Sequence, residues 1–385
     1  MAKTVLVLGA NYAGVPIAQH LLKYTLPKVP GMKVILVSPN THMYWHNATI
    51  RAILPDMLSD DKILYPIAPA FKKYSASQFE FVVAKAEKLD PETKTVHIST
   101  GRSINYDVLV IATGSSFKGG MPFKHLSTTE ETRNTLHEWS KKIGNAESIV
   151  VAGGGATGVE LAGELGQEYA SNGTKKVTFI VDGDEPLHPR FMTSMRKDVK
   201  RSLEKLGVKV VTNTRVTSVT DSTKGKGGKM LELTGTKDSK KSKLYADVYL
   251  PTFGTAPNTD YVPEEMLDGD RRVRQTTYLR AEGYDDIFVA GDAGNLQAPN
   301  GKITDDQVIH IVKGLQAYLT GAELPKYQPV EKTIIAVTTG RKGGSGQMGN
   351  MKIWSFLVWF LKGRYLGTDY ASQYVAGART IQGSW

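Results

Sequence analysis

Short, uninterrupted apolar runs recur along the chain, each closed by small or polar residues. They are Thr4 to Leu8 (TVLVL), Lys33 to Ser38 (KVILVS), Tyr106 to Ile111 (YDVLVI), Ile149 to Ala152, Lys176 to Asp182 (KVTFIVD) and Ile287 to Ala290. Continuous rather than alternating apolar character marks strands buried on both faces, as in a parallel sheet. Helical stretches fall between them: Val15 to Leu22, Thr128 to Lys142 behind a Thr-x-x-Glu capping box, the basic amphipathic Phe191 to Leu206, and Ile303 to Tyr318. This alternation predicts an α/β protein. Phe79 to Asp90 with Thr95 to Ser99 reads as an antiparallel insert. Val208 to Val211, Arg215 to Val219, Met230 to Thr234, Ala246 to Leu250 and Ile334 to Val337 read as further strands.

Two strand-to-helix junctions carry glycine turns. The second has Gly153, Gly155 and Gly158 in G-x-G-x-x-G spacing. In such a turn the first glycine allows the tight bend, the second lets a pyrophosphate approach the backbone, and the third lets helix and strand pack closely. The pyrophosphate would sit on free N–H groups at the helix start. The next strand ends in Asp182, where a ribose-binding carboxylate is expected, which favours a dinucleotide over a purely structural turn. The first turn is Gly9, Asn11, Gly14, with Asn11 in the middle-glycine position; asparagine tolerates left-handed backbone, and its amide would either crowd or bond a phosphate. The strand after it ends in Ser38 instead of an acid, and Ser38 or Asn40 would bond a ribose hydroxyl more weakly. Taken alone, this turn reads equally as a nucleotide site or a plain α/β turn.

A third stretch, Ile287 to Asn295, ends its strand in Gly291-Asp292. An acid there faces the crevice of a parallel sheet and suits the polyol chain of a flavin, or else caps the next helix. Ala112-Thr113-Gly114 lets a flat ligand approach the backbone, and PTFGTAP (Pro251 to Pro257) is placed similarly. The aromatic segment Pro39 to Leu54 is a cover for a ring system or a capping loop, with a helix starting near Ala48.

At 385 residues two or three domains are expected. The chain has no cysteine, which removes disulfide relays, thiolate nucleophiles and Cys-ligated metals. Eight scattered histidines give no metal-site spacing. The formal net charge of +10 is partly local, in the lysines between Lys224 and Lys243, read as a solvated hairpin loop; with no aromatics interleaved, a nucleic-acid partner has little support. There is no signal or transit pattern, Ala2 gives no myristoylation site, and no apolar run reaches the roughly 20 residues of a span. The expected compartment is the cytosol, with a membrane face as an alternative. Trp354 to Leu361 (WSFLVWFL), flanked by Lys352, Lys362 and Arg364, fits a buried helix, a homodimer contact or an interfacial patch; burial or a dimer contact is preferred.

In their order, two glycine-turn units, an ATG after a strand and a late Gly-Asp resemble the two-dinucleotide-binding-domain flavoproteins. His46 to Ala52 (HNATIRA), Gly158 to Glu160, the Lys302…His310 helix and Gly340 to Gln347 (GRKGGSGQ) resemble one branch, the ferroptosis-suppressor or apoptosis-inducing-factor-like mitochondrion-associated NAD(P)H:quinone oxidoreductases. The resemblance implies two Rossmann-like domains, for FAD (1–118 and 250–324) and for NAD(P)H (119–249), plus a C-terminal α+β region (325–385) for interface or membrane contact. It implies that Gly9, Asn11, Tyr12, Ala13, Gly14 and Ser38 hold the adenosine and pyrophosphate of FAD, with Val83 at the adenine. Asn47, Arg51, Ala112, Thr113 and Gly114 would approach the flavin, Gly291 and Asp292 the ribityl chain, and Lys302 and Ile303 the ring. Gly153, Gly155, Ala156, Thr157, Gly158, Glu160, Asp182 and Gly254 would form the nicotinamide dinucleotide site.

The implied activity passes a hydride from NADH to FAD and on to a quinone or another small acceptor, with Lys302 stabilising negative charge on the reduced ring or serving only as a helix-start surface lysine. Asp182 would pair with both ribose hydroxyls and no basic residue is expected to adjoin it, so NADH is expected over NADPH. The expected location is cytoplasmic, with a peripheral place on the mitochondrial outer membrane or a lipid droplet as the alternative that the resemblance implies. Asn11 and Ser38 depart from the usual FAD pattern, leaving a relative that has lost FAD as an alternative. A redox-sensing or DNA-binding cell-death effector is a further one.

Overall fold

The computed structural model describes residues 3–222, 228–330, 332–380 and 382–384. Two parallel sheets organise it. The first has the order Ile287–Val289, Val108–Ile111, Thr4–Leu8, Lys33–Ser38, Phe79–Val83. The second has the order Lys209–Val211, Lys176–Ile180, Ser148–Ala152, Val248–Pro251. The apolar residues of the central strands are buried, as their near-continuous apolar character requires. In each sheet the strand that leads into a glycine turn, Thr4–Leu8 or Ser148–Ala152, has its sequence successor on one side and a late strand on the other. The chain therefore reverses its winding there, and both glycine turns stand at switch points, where crevices open.

Two expectations about strands are corrected. Phe79 to Asp90 is not one antiparallel element. Phe79–Val83 is the parallel edge strand of the first sheet, and only Ala86–Asp90 joins Thr95–Ile98 and Ser103–Asn105 in the antiparallel insert. The handover lies at Ala84, whose N–H closes the ladder on the Ser38 carbonyl, and Lys85, which bonds Ser99 of the insert.

The lysine-rich stretch is likewise not a simple loop. Thr214–Asp221, Lys229–Gly235 and Lys241–Ala246 form a three-stranded antiparallel sheet, and Val248–Pro251 is separate. Leu231, Leu233 and Ala246 pack on Val150, Ala152 and Ile180 of the second parallel sheet, while Lys241 and Lys243 stay exposed. Lys224 and Lys226 lie outside the described residues.

The two sheets are joined by a short ribbon. Ser115–Phe117, after ATG, pairs antiparallel with Thr255–Pro257, after PTFG. The C-terminal region adds the antiparallel strands Ile334–Thr338, Gly344–Met348 and Met351–Ile353, followed by helical turns at Ser355–Val358, Trp359–Gly363 and Ala371–Val375. The expected burial of WSFLVWFL is overturned: only Val358 faces the interior, and Trp354 is 81% and Phe356 69% exposed. Among the described residues no helix is long and apolar enough to cross a membrane.

Candidate functional site

The first glycine turn is built by backbone contact. Gly9 has φ +98°, and a β-carbon there would collide with the Ala112 carbonyl oxygen; one at Gly14 would collide with the Gly9 carbonyl. This close packing brings Gly9 to Gly14 against Ala112 to Gly114. The left-handed residue is Gly9 and not Asn11, so the tolerance expected of Asn11 is not what preserves the turn. Its amide instead holds the next segment. Oδ1 accepts from the Tyr44 N–H at 3.2 Å, and Nδ2 lies 3.5 Å from His46 Nδ1. Tyr12 stacks on Trp45 at 4.8 Å and accepts the Asn47 N–H on its hydroxyl at 3.4 Å, while Ala13 is buried beside it. The aromatic segment is thereby pinned over the turn.

Ser38 and Asn40 are both buried. Ser38 Oγ accepts from the Asn40 N–H at 3.2 Å, and Asn40 Nδ2 donates to the Leu126 carbonyl at 3.4 Å. Val83 ends the edge strand and is half exposed. Thr113 and Asn258 bond reciprocally, Oγ1 to carbonyl at 2.7 Å and Nδ2 to carbonyl at 2.9 Å, and space is open around Gly114.

Asp292 stands with Gly291 in a short turn after the first sheet's outer strand; Asn300, not Asp292, caps the following helix. Its carboxylate accepts from Ser115 Oγ at 2.7 Å and forms an ion pair with Lys124, which also donates to Ser115 at 2.6 Å. Burial opposes ionisation of Asp292, but the charge and hydrogen bonds of Lys124 and the Ser115 hydroxyl outweigh it and hold the carboxyl below its usual range. Nearby, burial pushes His46 and His125 down to about 3, so both rings are neutral. An ionised acceptor for hydroxyls, a cation suited to a phosphate and open backbone at Gly114 form a donor set that fits FAD. Lys124 had no sequence signal, because it lies 168 positions from its partner Asp292.

The second turn repeats the first. Gly153 has φ +119°, and a β-carbon at Gly158 would meet Thr252 Oγ1 at 2.6 Å; that hydroxyl donates to the Ala152 and Gly153 carbonyls. At Gly155 no atom lies within 4 Å of a β-carbon position. Gly155 precedes the helix Ala156–Leu165, whose N-terminus has no side-chain cap. Its first N–H groups, with half-buried Ala156 and Thr157, therefore face free space that suits a pyrophosphate. Gly254, with φ +84°, directly precedes the ribbon strand Thr255–Pro257, and its carbonyl accepts the Lys118 N–H at 2.8 Å.

Asp182 is largely exposed, and its Oδ2 accepts from Arg215 Nη2 at 3.3 Å. The expectation that no base adjoins it is thus corrected: Arg215 arrives from the antiparallel sheet, 33 positions later.

Two expected site residues also make contacts to the C-terminal region. Glu160 is buried and accepts the Thr338 N–H at 2.9 Å and Lys362 Nζ at 2.6 Å. Arg51 places Nη2 2.6 Å from Glu164 and donates to the carbonyls of Gly363 and Arg364. Glu160 and Glu164 are one helical turn apart, so the same face receives both cations and joins the C-terminal region. Lys302 Nζ bonds Asp306 at 2.8 Å, four residues along its own helix. With Ile303 it lines a cleft of about 240 Å³, whose other walls include Arg190, Phe191, Val330 and Lys332.

Residues 3–309 match the model of the family described as pyridine nucleotide-disulphide oxidoreductase. The chain is 34% identical to oxidoreductase ptaL of Pestalotiopsis fici over 360 residues, covering 92% of this chain and 94% of that protein. It is 23% identical to ferroptosis suppressor protein 1 of Mus musculus, covering 94% and 93%. The sulfide:quinone oxidoreductase of Aquifex aeolicus has a similar fold, with a TM-score of 0.79 at 17% identity over 100% of this chain and 93% of that one. NDH2 of Plasmodium falciparum, solved in complex with NADH, has a TM-score of 0.71 at 14% identity, covering 97% and 94%. With two Rossmann-like parallel sheets and a glycine turn at the switch point of each, the chain belongs to the pyridine nucleotide-disulphide oxidoreductase family, whose members bind FAD and NAD(P)H.

Proposed function

We propose that this chain is an NAD(P)H:quinone oxidoreductase of the ferroptosis-suppressor type. The observation that carries the reading is the pairing of Ser115–Phe117 with Thr255–Pro257, which ties the crevices of the two sheets to each other. A flavin bound in the first crevice supplies hydride acceptance from the nicotinamide and electron delivery to the acceptor.

The chain's own residues bind and orient. Gly155, Ala156 and Thr157 offer N–H groups to the pyrophosphate of NAD(P)H, with Gly153 and Gly158 shaping the turn, Asp182 at the ribose and Gly254 at the ribbon. Gly9, Ala13 and Gly14 shape the FAD turn, while Asn11 and Tyr12 hold the segment carrying Asn47. Ser38 and Val83 border the adenosine end, Ala112, Thr113 and Gly114 border the flavin, and Lys124 fixes the Asp292 carboxylate for the ribityl hydroxyls. Lys302 and Ile303 line the acceptor cleft, where the Lys302 ammonium, tempered by Asp306, favours developing negative charge. The division into a discontinuous flavin unit, a nicotinamide unit and a C-terminal region belongs to this reading.

A quinone acceptor is what the resemblance to the ferroptosis-suppressor type implies, with proteins of that name among the relatives, and it accords with the exposed apolar patch around Trp354, which suits contact with a lipid surface at the cytoplasmic face of a membrane. A different, anionic acceptor is the second reading, favoured by Arg190 and Lys332 on the same cleft. A visible spectrum of the purified protein, recorded before and after anaerobic NADH and again after a quinone, tests the reading. Flavin absorbance that bleaches and returns is expected. A protein that stays colourless with added FAD overturns it.

A further inference from the structure

We propose that Arg215 lets the second glycine turn accept NADPH as well as NADH, by binding the 2′-phosphate that Asp182 alone would repel. The inference rests on the reading of that turn as the NAD(P)H site. A carboxylate at the end of this strand suits two free ribose hydroxyls and disfavours a 2′-phosphate. Here the carboxylate has a guanidinium 3.3 Å away.

The position of Arg215 is fixed by backbone, not by the ion pair. The Asn213 N–H bonds the Gly183 carbonyl at 2.9 Å, and the Thr214 N–H bonds the Val181 carbonyl at 3.0 Å. Thr236 Oγ1 donates to the Asp182 carbonyl at 3.0 Å, which brings Lys237 beside Asp184. Two acid–base pairs, Asp182–Arg215 and Asp184–Lys237, therefore stand at the ribose end of the crevice.

The Asp182–Arg215 contact is exposed on both sides and made by a single N–H, so it is weak and exchangeable. Guanidinium matches phosphate with two parallel hydrogen bonds. With NADH, Asp182 receives the hydroxyls and Arg215 stays at its side. With NADPH, the guanidinium turns from carboxylate to phosphate, and Lys237 adds a second positive charge. Asp182 still opposes the phosphate, so the site serves both dinucleotides.

The test measures calorimetric affinity for 2′,5′-ADP and for 5′-AMP, alongside flavin reduction by NADPH and NADH, in the intact wild-type protein and in Arg215→Ala, Arg215→Lys and Asp182→Asn. Arg215 is exposed, so its variants are expected to fold. Loss of charge-assisted bonds to phosphate should weaken 2′,5′-ADP and NADPH about ten- to a hundredfold in Arg215→Ala, leaving 5′-AMP and NADH within about twofold. Arg215→Lys should fall between, and Asp182→Asn should shift the ratio towards NADPH. Equal losses for phosphorylated and unphosphorylated ligands in Arg215→Ala, or wild-type protein that binds 5′-AMP and NADH but neither phosphorylated ligand, overturn the role of Arg215 alone. Wild-type protein that binds none of the four overturns the NAD(P)H-site reading as well.

Discussion

Arg51 and Glu164 form an ion pair inside the protein, with Nη2 2.6 Å from Oε1 and Glu164 fully buried. Arg51 comes from the aromatic segment over the first turn, and Glu164 from the helix behind the second. The same guanidinium reaches the Gly363 and Arg364 carbonyls of the C-terminal region. One side chain thus joins three parts of the chain. Burial pushes the Glu164 carboxyl up, while Arg51 pulls it back. Removing one member of such a pair strands a charge and costs about 3–5 kcal/mol. Arg51→Met should lose stability of that order in urea denaturation, and Arg51→Met combined with Glu164→Leu should recover most of it. Equal losses in the single and double variants would remove the pair from the account.

The second glycine turn separates folding from binding. Gly158→Ala drives a β-carbon into the Gly153 carbonyl and Thr252, so the melting temperature should drop clearly. At Gly155 a β-carbon meets no protein atom within 4 Å. Gly155→Ala should keep its melting temperature, yet weaken NADH binding about tenfold or more, because the methyl enters the open space that the proposed site gives to the pyrophosphate. NADH titration of the two variants, paired with thermal melts, distinguishes these effects.

Acid should destabilise the fold through histidines before most carboxylates titrate. His46 and His125 sit at about 3 against an ordinary 6.5, chiefly because burial penalises the charged ring. The unfolded chain therefore takes up their protons first. Their contribution is complete above pH 6.5 and is lost progressively as pH falls towards 3. The melting temperature should decline across that window, and His125→Asn should flatten the decline. A wild-type melting temperature constant from pH 6.5 to 5 would contradict this.

Trp354, Phe356, Phe360 and Leu361 are exposed together, so their loss should change stability by no more than about 0.5 kcal/mol. Trp354→Ser with Phe360→Ser should nevertheless reduce co-sedimentation with vesicles of phosphatidylcholine and phosphatidylserine. If vesicles are not bound and the substitutions instead shift a dimer to monomer in gel filtration, the patch is a homodimer contact.

The legible part of the molecule was what repeats locally. TVLVL, SIVVA and KVTFI are strands because each is short, mostly apolar and closed by a turn, and Gly9, Gly14 and Gly158 lie where backbone meets backbone. Less legible was the lysine-rich stretch. Its few apolar residues stand among charged and polar ones, and only the sheet beneath them shows that Leu231, Leu233 and Ala246 are covered. The resemblance implies cofactor-site roles for Glu160 and Arg51; that both also bond the C-terminal region is a contact between distant parts of the chain, which no local pattern records.

The sequence by itself determined the two parallel sheets, the turn at the head of each, and the acids Asp182 and Asp292 at their mouths. Strand, turn and helix preferences act over a few neighbouring residues and leave a readable period. Only the tertiary structure decided what stands beside those acids: Arg215 at the first and Lys124 at the second. A charge partner is chosen by how sheets, ribbon and loops stack in space, and residues far apart in the chain carry no mutual spacing that records it.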